Sequence, residues 1–283
     1  MIKTKTHRKY LFTPLRYPGG KTSLFNFFDI VIKEHGWQDV TYIEPYAGGA
    51  GAAVSLLLLE KVNYIVINDY DPAIYSFWLA IKEYNAEFIE RIVNTPITIE
   101  EWEQQKKVYK AADTSDRLSF GFATFFLNRT NRSGILNAGP IGGRQQLSEW
   151  KIDARYNKQN LIEKIKLIGL YSDRITVLNE DGVDVIERYA KDPNSFFYVD
   201  PPYFVNLNAF KLEDHQRLAD SLNRHNKAKW LLSYDNEKRI LDLYPDRNHR
   251  AFDLKYSAHH NSKVGSELMI FSDAIDMSII DEA

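Results

Sequence analysis

The chain has 283 residues, of which 44% are hydrophobic and 26% are charged, as in an ordinary globular protein. Its formal net charge of -2 argues against a strongly basic protein that coats nucleic acid, but it leaves room for a local basic patch. Because the sequence contains no cysteine, disulfide frameworks and thiolate metal sites are excluded. We find no pattern typical of a signal peptide or a membrane span, so we expect a soluble, cytoplasmic protein without a membrane partner.

Short apolar strands alternate with helical segments along most of the chain. We predict strands at residues 41–45, 63–69, 175–179, 196–200 and 229–235. Asp71 and Pro72, after the second strand, are residue types typical of a helix N-cap and first turn. Strands that alternate with helices predict an α/β fold, with a largely parallel sheet covered on both faces. Strand-like segments near the end of the chain predict an antiparallel hairpin on the sheet edge.

A long helical stretch interrupts this alternation between the second and third strands. We therefore predict one α/β domain formed by residues 1–85 and 170–283, with an inserted domain at residues 86–169. Within the insert, the segment SGILNAGPIGGRQQ is rich in glycine and flanked by polar residues. That composition is typical of a hairpin or an ordered loop on the protein surface.

A glycine-rich turn follows the first strand in the segment IEPYAGGAGA, which contains Gly48, Gly49 and Gly51. Glycines there let the backbone approach a ligand, and the start of the next helix offers unpaired N–H groups. Asp69 ends the second strand, where an acidic residue commonly accepts hydrogen bonds from ribose hydroxyls. The spacing matches neither a P-loop nor the dinucleotide fingerprint, so we predict a nucleoside cofactor without a pyrophosphate. A tight turn that binds nothing is the alternative.

The fourth strand ends in Asp200, Pro201, Pro202 and Tyr203. In open α/β sheets, ligands bind at the carboxyl ends of the strands. The two prolines stiffen the loop and donate no backbone hydrogen bonds, which leaves nearby carbonyls free as acceptors. A target amine could then donate to Asp200 and to the carbonyl of Pro201, while Tyr203 offers a flat face for a base. A plain strand-ending turn is the alternative interpretation.

Six motifs occur in the order typical of one family: RYPGGK, EPYAGGAG, the pair Asn68–Asp69, FLNRTNRSGILNAGPIGG, DPPY and LLSYDN. With them, the chain resembles the Dam-type (DpnII-like) DNA adenine-N6 methyltransferases over most of its length. The resemblance implies a Rossmann-like sheet that binds S-adenosylmethionine and an insert that binds double-stranded DNA. It also implies direct in-line transfer of a methyl group to the exocyclic amine of an adenine flipped out of the duplex, without a metal.

Site residues follow from the resemblance, position by position. The catalytic loop is Asp200, Pro201, Pro202 and Tyr203. Cofactor contacts are expected from Tyr17, Lys21, Tyr46, Gly48, Gly49, Asp69, Asp181 and Asp200. DNA contacts are expected from Asn128, Arg129, Arg132, Asn137 and Arg144, because Arg and Asn read base edges and Arg also binds phosphates. Gly182 stands where the family often has an aromatic residue, which predicts a different packing of the adenine ring of the cofactor.

Other functions stay open at the level of sequence. The chain could methylate RNA adenine or a protein glutamine, although such enzymes more often have Asn at the first position of the four-residue motif. It could also be an inactive DNA-binding relative, but the intact Asp69, Asp200 and Tyr203 argue against this. A restriction–modification enzyme with a separate cognate endonuclease and a solitary or phage methylase fit equally well. We expect a monomer or a weak dimer.

Overall fold

The computed structural model of the protein describes residues 12–17, 21–203, 210–256 and 263–281. The strands lie at Thr41–Glu44 (β1), Tyr64–Asn68 (β2), Ile175–Leu178 (β3), Ser195–Val199 (β4), Lys229–Asp235 (β5), Asn248–Tyr256 (β6) and Lys263–Phe271 (β7). The helices lie at Phe25–Glu34 (α1), Gly51–Leu58 (α2), Pro72–Glu83 (α3), Asn85–Asn94 (α4), Ile99–Ala111 (α5), Arg117–Thr130 (α6), Lys158–Gly169 (α7), Gly182–Tyr189 (α8), Leu212–Arg224 (α9), Lys238–Leu243 (α10) and Met277–Asp281 (α11). None of these helices is long and apolar enough to cross a membrane.

The strands form a single seven-stranded sheet in the order β3–β2–β1–β4–β5–β7–β6. Strands β1 to β5 pair in parallel, whereas β7 is antiparallel to both β5 and β6. This confirms the predicted mostly parallel sheet with an antiparallel hairpin near its end. The chain runs outward from β1 through β2 to β3 and then returns to form β4 beside β1. The carboxyl ends of β1 and β4 therefore flank a topological switch point, where open α/β sheets bind ligands.

The two faces of the sheet bury separate hydrophobic clusters, because successive side chains in a strand point to opposite faces. Phe196 and Tyr198 of β4 pack into the cluster on one face, and Phe197 and Val199 pack into the other. Every residue of β4 is buried. A strand covered on both faces is expected to be a continuous apolar run, and this is why β4 was recognisable in the sequence.

The predicted insert packs directly onto α3 and shares the hydrophobic cluster on one face of the sheet. Phe125 of α6 stacks on Phe77 of α3, with ring centroids 5.9 Å apart. Phe88 of α4 contacts both rings edge-on, at 5.9 and 5.4 Å. This aromatic contact holds the helices of the insert against the sheet domain, and with them the glycine-rich segment that follows α6.

Candidate active site

Asp200 follows β4 at the switch point, and neighbouring elements fix its carboxylate. Its Oδ1 accepts a 2.7 Å hydrogen bond from Ser233 of β5, and its Oδ2 lies 3.2 Å from Nζ of Lys21. Ser233 also shares a 2.7 Å hydrogen bond with the hydroxyl of Tyr198. The Asp200 side chain keeps 22% of its surface exposed. The carboxylate is thus oriented by its partners and still partly exposed at the switch point.

Lys21 links Asp200 to a second carboxylate, that of Glu267 in β7. Its Nζ donates a 2.7 Å hydrogen bond to the hydroxyl of Tyr203 and lies 3.5 Å from Oε1 of Glu267. The Tyr203 hydroxyl donates to the same oxygen of Glu267. Burial raises the pKa of Glu267 to about 7, although the charge of Lys21 opposes this shift. The site therefore brings one lysine and one phenol between two carboxylates.

Glu267 is the member of this network that sequence analysis missed. It stands at the start of the apolar run ELMIF, and only 1% of the residue is exposed. Because glutamate is almost never fully buried without a partner, a charged residue at the start of an apolar strand is the signal that could have identified it. The antiparallel pairing of β7 with β5 is what brings it to the crevice.

Asp69, directly after β2, supports the glycine turn that follows β1. Gly48 has φ of 49°, in the left-handed region that favours glycine, and its N–H donates a 2.8 Å hydrogen bond to Oδ2 of Asp69. The N–H of Asp71 donates to Oδ1 at 2.9 Å. Burial raises the pKa of Asp69 to about 6. Since each carboxylate oxygen can accept two hydrogen bonds, Asp69 can support the turn and still accept ligand hydroxyls.

Two tyrosines line the same turn. Tyr17 packs against the glycine pair, and a Cβ added to Gly48 would lie 2.6 Å from its ring. Tyr46 covers Gly182 in the same way, because a Cβ there would lie 2.4 Å from Cζ of Tyr46. An aromatic side chain at position 182 would need the space that the ring of Tyr46 fills. Gly182 replaces the aromatic residue that the family often has at this position, and the ring of Tyr46 supplies an aromatic surface there instead.

The remaining predicted residues of the sheet edge lie on adjacent loops. Asp181 caps α8 by accepting a 2.8 Å hydrogen bond from the N–H of Val183, and it accepts another at 2.9 Å from Arg217. Pro201 is buried and Pro202 is half-buried after β4. Pro18, Gly19 and Gly20 of the RYPGGK motif lie outside the described residues.

Asn128, at the end of α6, ties the insert to the segment before Lys21. Its Oδ1 accepts a 2.7 Å hydrogen bond from the N–H of Arg16, and its Nδ2 donates to the carbonyls of Arg16 at 2.8 Å and Gly134 at 3.0 Å. The residue is 1% exposed. A DNA contact from this side chain, as the sequence suggested, would require these hydrogen bonds to break. In this structure, Asn128 positions the backbone.

The other predicted DNA-contact residues differ in exposure. Arg129 is half-buried and donates to the carbonyl of Arg155, and burial lowers its pKa to about 10. Arg132, Asn137 and Arg144 are exposed. The guanidinium of Arg144 lies 3.0 Å from a carboxylate oxygen of Glu103. Arg132, Asn137 and Arg144 thus form the part of the predicted set that a partner molecule can reach.

The sequence matches the model of the D12 class N6 adenine-specific DNA methyltransferase family over residues 17–260. The chain belongs to this family. The match confirms the resemblance to the adenine-N6 methyltransferases, and it makes this D12 class protein an adenine-specific DNA methyltransferase. No curated protein gives a significant match. One similar solved structure is the rRNA methyltransferase aviRa from Streptomyces viridochromogenes, with 14% identity and a TM-score of 0.39 over 100% of this chain and 92% of the other.

The residues around the switch point of this D12 class methyltransferase fit S-adenosylmethionine, the methyl donor that the family implies. Tyr17 and Tyr46 offer flat surfaces for a nucleoside, and Asp69 offers acceptors for ribose hydroxyls. The accessible carboxylate of Asp200 suits the neighbourhood of a sulfonium charge. Among the described residues, no group of His, Cys, Asp and Glu could hold a metal ion.

We expect Asn128→Ala to destabilise this methyltransferase, because it removes two hydrogen bonds to the partly buried backbone of Arg16 and one to the buried carbonyl of Gly134. The loss of unfolding free energy should be about 3 kcal/mol, since each unsatisfied buried group costs about 1–3 kcal/mol. Urea denaturation measures it. The matched control is Asn137→Ala at an exposed asparagine, which should change the free energy by less than about 0.5 kcal/mol. Equal stability of the two variants would contradict a positioning role for Asn128.

We also expect the stability of the free enzyme to fall as pH rises, in part through Glu44 at the end of β1. Glu44 is buried, and burial raises its pKa from 4.5 to about 8, although its Oε1 accepts a 3.1 Å hydrogen bond from the N–H of Ala53. Because the folded-state pKa is the higher one, this stabilising effect is complete below pH 4.5 and is lost as pH rises to about 8.

Glu44→Gln, which stays neutral, should therefore flatten the decline in the unfolding free energy over that pH range. Urea denaturation of both proteins at several pH values measures the difference. Parallel profiles for wild type and variant would show that Glu44 does not titrate in this way.

Proposed function

We propose that this protein transfers a methyl group from S-adenosylmethionine to the exocyclic amine of an adenine that is flipped out of duplex DNA, by direct in-line displacement. The observation that carries the proposal is the carboxylate of Asp200. It lies at the switch point, it is oriented by Ser233 and Lys21, and it remains accessible. Bound S-adenosylmethionine would supply an electrophilic methyl group on a sulfonium.

The role of Asp200 follows from the chemistry of the amine. The lone pair of an adenine amine is delocalised into the ring, so the nitrogen is a poor nucleophile until its geometry changes. Hydrogen bonds from its two N–H groups to Asp200 and to the carbonyl of Pro201 would favour a pyramidal nitrogen with a localised lone pair. Acceptors placed in advance in this way stabilise the charge that develops during transfer, and they hold the amine in line with the methyl group.

Tyr203 is suited to hold the extruded base. Its hydroxyl bonds to both Lys21 and Glu267, so the ring is fixed before a base arrives. Flipping costs a few kcal/mol, and stacking of one base on an aromatic side chain returns about 1–3 kcal/mol. A rigid ring beside Asp200 would therefore offset much of the cost of extruding the adenine.

DNA binding is assigned to the exposed surface of the insert that carries Arg132, Asn137 and Arg144. Because the net charge of the whole chain is -2, attraction to DNA phosphates has to come from a local basic patch of this kind. Arg144 is paired with Glu103, but its side chain is 70% exposed. Surface ion pairs contribute only about 0–1 kcal/mol, so Arg144 can exchange this partner for a phosphate or a base edge at little cost.

The test is to incubate the protein with S-adenosylmethionine labelled in its methyl group and with unmethylated duplex DNA, RNA or a cell protein extract in parallel. Digestion of the products to nucleosides or amino acids identifies the acceptor. We expect the label in DNA as N6-methyladenine and in neither of the other substrates. Label in RNA or protein alone, or no label in any substrate, would contradict the proposal.

A further inference from the structure

The site contains a continuous chain of hydrogen-bonding groups that ends at Glu267. It starts at Oδ2 of Asp200, 3.2 Å from Nζ of Lys21. Lys21 donates to the hydroxyl of Tyr203 at 2.7 Å, and Tyr203 donates to Oε1 of Glu267. The other oxygen of Glu267, Oε2, has no hydrogen-bond partner among the residues that the structure describes. A buried carboxylate with an unused acceptor therefore lies at the far end of the chain from the accessible Asp200.

The proposed methyl transfer produces a proton that must leave the site. The nitrogen lone pair forms a bond to the methyl carbon, and the carbon–sulfur bond breaks with its electron pair remaining on sulfur. The nitrogen then carries a positive charge and loses one N–H proton to Asp200. Asp200 has to release this proton before it can accept hydrogen bonds from the next amine as a carboxylate.

We propose that Glu267 is the final acceptor of this proton, which leaves Asp200 through Lys21 and Tyr203; this inference rests on the proposed function. Lys21 gives a proton to Tyr203 and takes one from Asp200, while Tyr203 gives its own proton to Glu267. Lys21 ends as an ammonium, Tyr203 as a neutral phenol and Asp200 as a carboxylate, so the net change is protonation of Glu267. Glu267 acts on Asp200 through Lys21 and Tyr203.

The electrostatics of the network suit this role. Burial raises the pKa of Glu267 to about 7, opposed by Lys21 and Tyr203 and assisted by the negative charge of Asp200. An acceptor with a pKa near the working pH can both take up and release a proton. Burial also holds the pKa of Tyr203 far above its ordinary value. The phenol therefore stays neutral, so it can give its proton to Glu267 only while it accepts another proton from Lys21. The negative charges of Asp200 and Glu267 also help to raise the pKa of Tyr198 on β4, whose hydroxyl is hydrogen-bonded to Ser233.

Methyl transfer to duplex DNA over many turnovers tests the inference in Glu267→Gln and Tyr203→Phe, because Asp200 must release its proton before each new turnover. The steady-state rate is measured across a pH range that brackets neutrality. Glutamine keeps the size of glutamate and an acceptor for Tyr203, but it does not take up a proton. In wild type, the rate should rise as pH rises through about 7, because Glu267 must be ionised to accept. In Glu267→Gln, the rate should fall by about 100-fold, as for loss of a general base, and this rise should disappear.

Tyr203→Phe interrupts the same path, so the double variant should lose no more than the more affected single variant. Glu267→Asp, which retains a proton acceptor, should recover part of the rate and of its rise with pH. Affinity for S-adenosylmethionine, measured by calorimetry, should be unchanged in Glu267→Gln. A Glu267→Gln enzyme with the wild-type rate, or with a lower rate that still rises through neutrality, would overturn the relay while wild-type methylation of DNA upheld the proposed function. Absence of methylation by wild type would overturn both.

A measurement without substrate gives a second, independent test. Carbon-13 NMR of labelled glutamate carboxyls, assigned by comparison with Glu267→Gln, should show Glu267 titrating at about 7. In Lys21→Met the same resonance should titrate at higher pH, because the positive charge that favours the ionised form is gone. Titration of Glu267 near its ordinary value of 4.5 in wild type would contradict the role of proton acceptor.

Discussion

Asp200→Asn is expected to abolish methyl transfer to DNA, with a single-turnover rate at least about 1,000-fold below wild type and an intact fold. Asparagine has the shape of aspartate, and its carbonyl can still accept the hydrogen bond from Ser233. It cannot, however, accept a proton or carry the negative charge that Lys21 contacts. Its amide would also place a donor against the donor Nζ of Lys21, so that both the charge and the hydrogen-bonding pattern of the site are lost.

The matched control is Asp192→Asn, an exposed aspartate that precedes the amino end of β4. It makes the same chemical change at the opposite end of the same strand, away from Asp200, and should methylate DNA at the wild-type rate. Circular dichroism and urea denaturation show whether both variants are folded. Wild-type turnover by a folded Asp200→Asn protein would mean that another residue receives the target amine.

Lys21→Met should lower the single-turnover rate by about 100-fold or more, because it removes the cation that bridges Asp200 and Glu267. Methionine keeps much of the length of the lysine side chain but carries no charge and cannot donate to Tyr203. The remaining carboxylates then repel each other, which raises the pKa of Glu267 further. Because the proposed proton path runs through Nζ of Lys21, raising the pH should not restore the rate.

Lys33→Met is the control for this variant, since the Lys33 side chain of α1 is 79% exposed and pairs only with its neighbour Glu34 among the described residues. The comparison of the two variants in the same DNA methylation assay separates the loss of a buried bridging cation from the loss of a surface charge. An unchanged rate in Lys21→Met would show that Asp200 needs no cationic partner.

The parallel part of the sheet could be predicted because its central strands, β2, β1, β4 and β5, are mostly buried. The run FFYV fills β4 with apolar side chains, and a strand of this kind is recognisable without knowledge of its partners. The glycine turn was also recognisable in the sequence, because its glycines permit left-handed conformations such as that of Gly48. Asp69 follows the next strand, so it lies at the same edge of the sheet and accepts a hydrogen bond from the turn. These local features are sufficient to predict a ligand site at the carboxyl ends of the strands, whereas the adjacency of β1 and β4 is known only from the structure.

The contacts that complete the site depend on residues far apart in the chain. Asn128 is bonded to Arg16, which lies 112 residues away, and nothing in the sequence near Asn128 indicates that its amide is buried. Glu267 reaches the crevice only because β7 inserts between β5 and β6. Position 182 is similar, because the reason for a glycine there is the ring of Tyr46 on another loop. Patterns among neighbouring residues in the sequence do not reveal such contacts between distant parts of the chain.

The most direct test of the central role of Asp200 is a crystal structure of the protein with duplex DNA and an unreactive analogue of S-adenosylmethionine. The target adenine should be out of the helix and stacked on Tyr203. Its exocyclic nitrogen should lie about 3 Å from both a carboxylate oxygen of Asp200 and the carbonyl oxygen of Pro201. An adenine still stacked in the duplex, or an extruded base whose amine faces groups other than Asp200, would contradict the account.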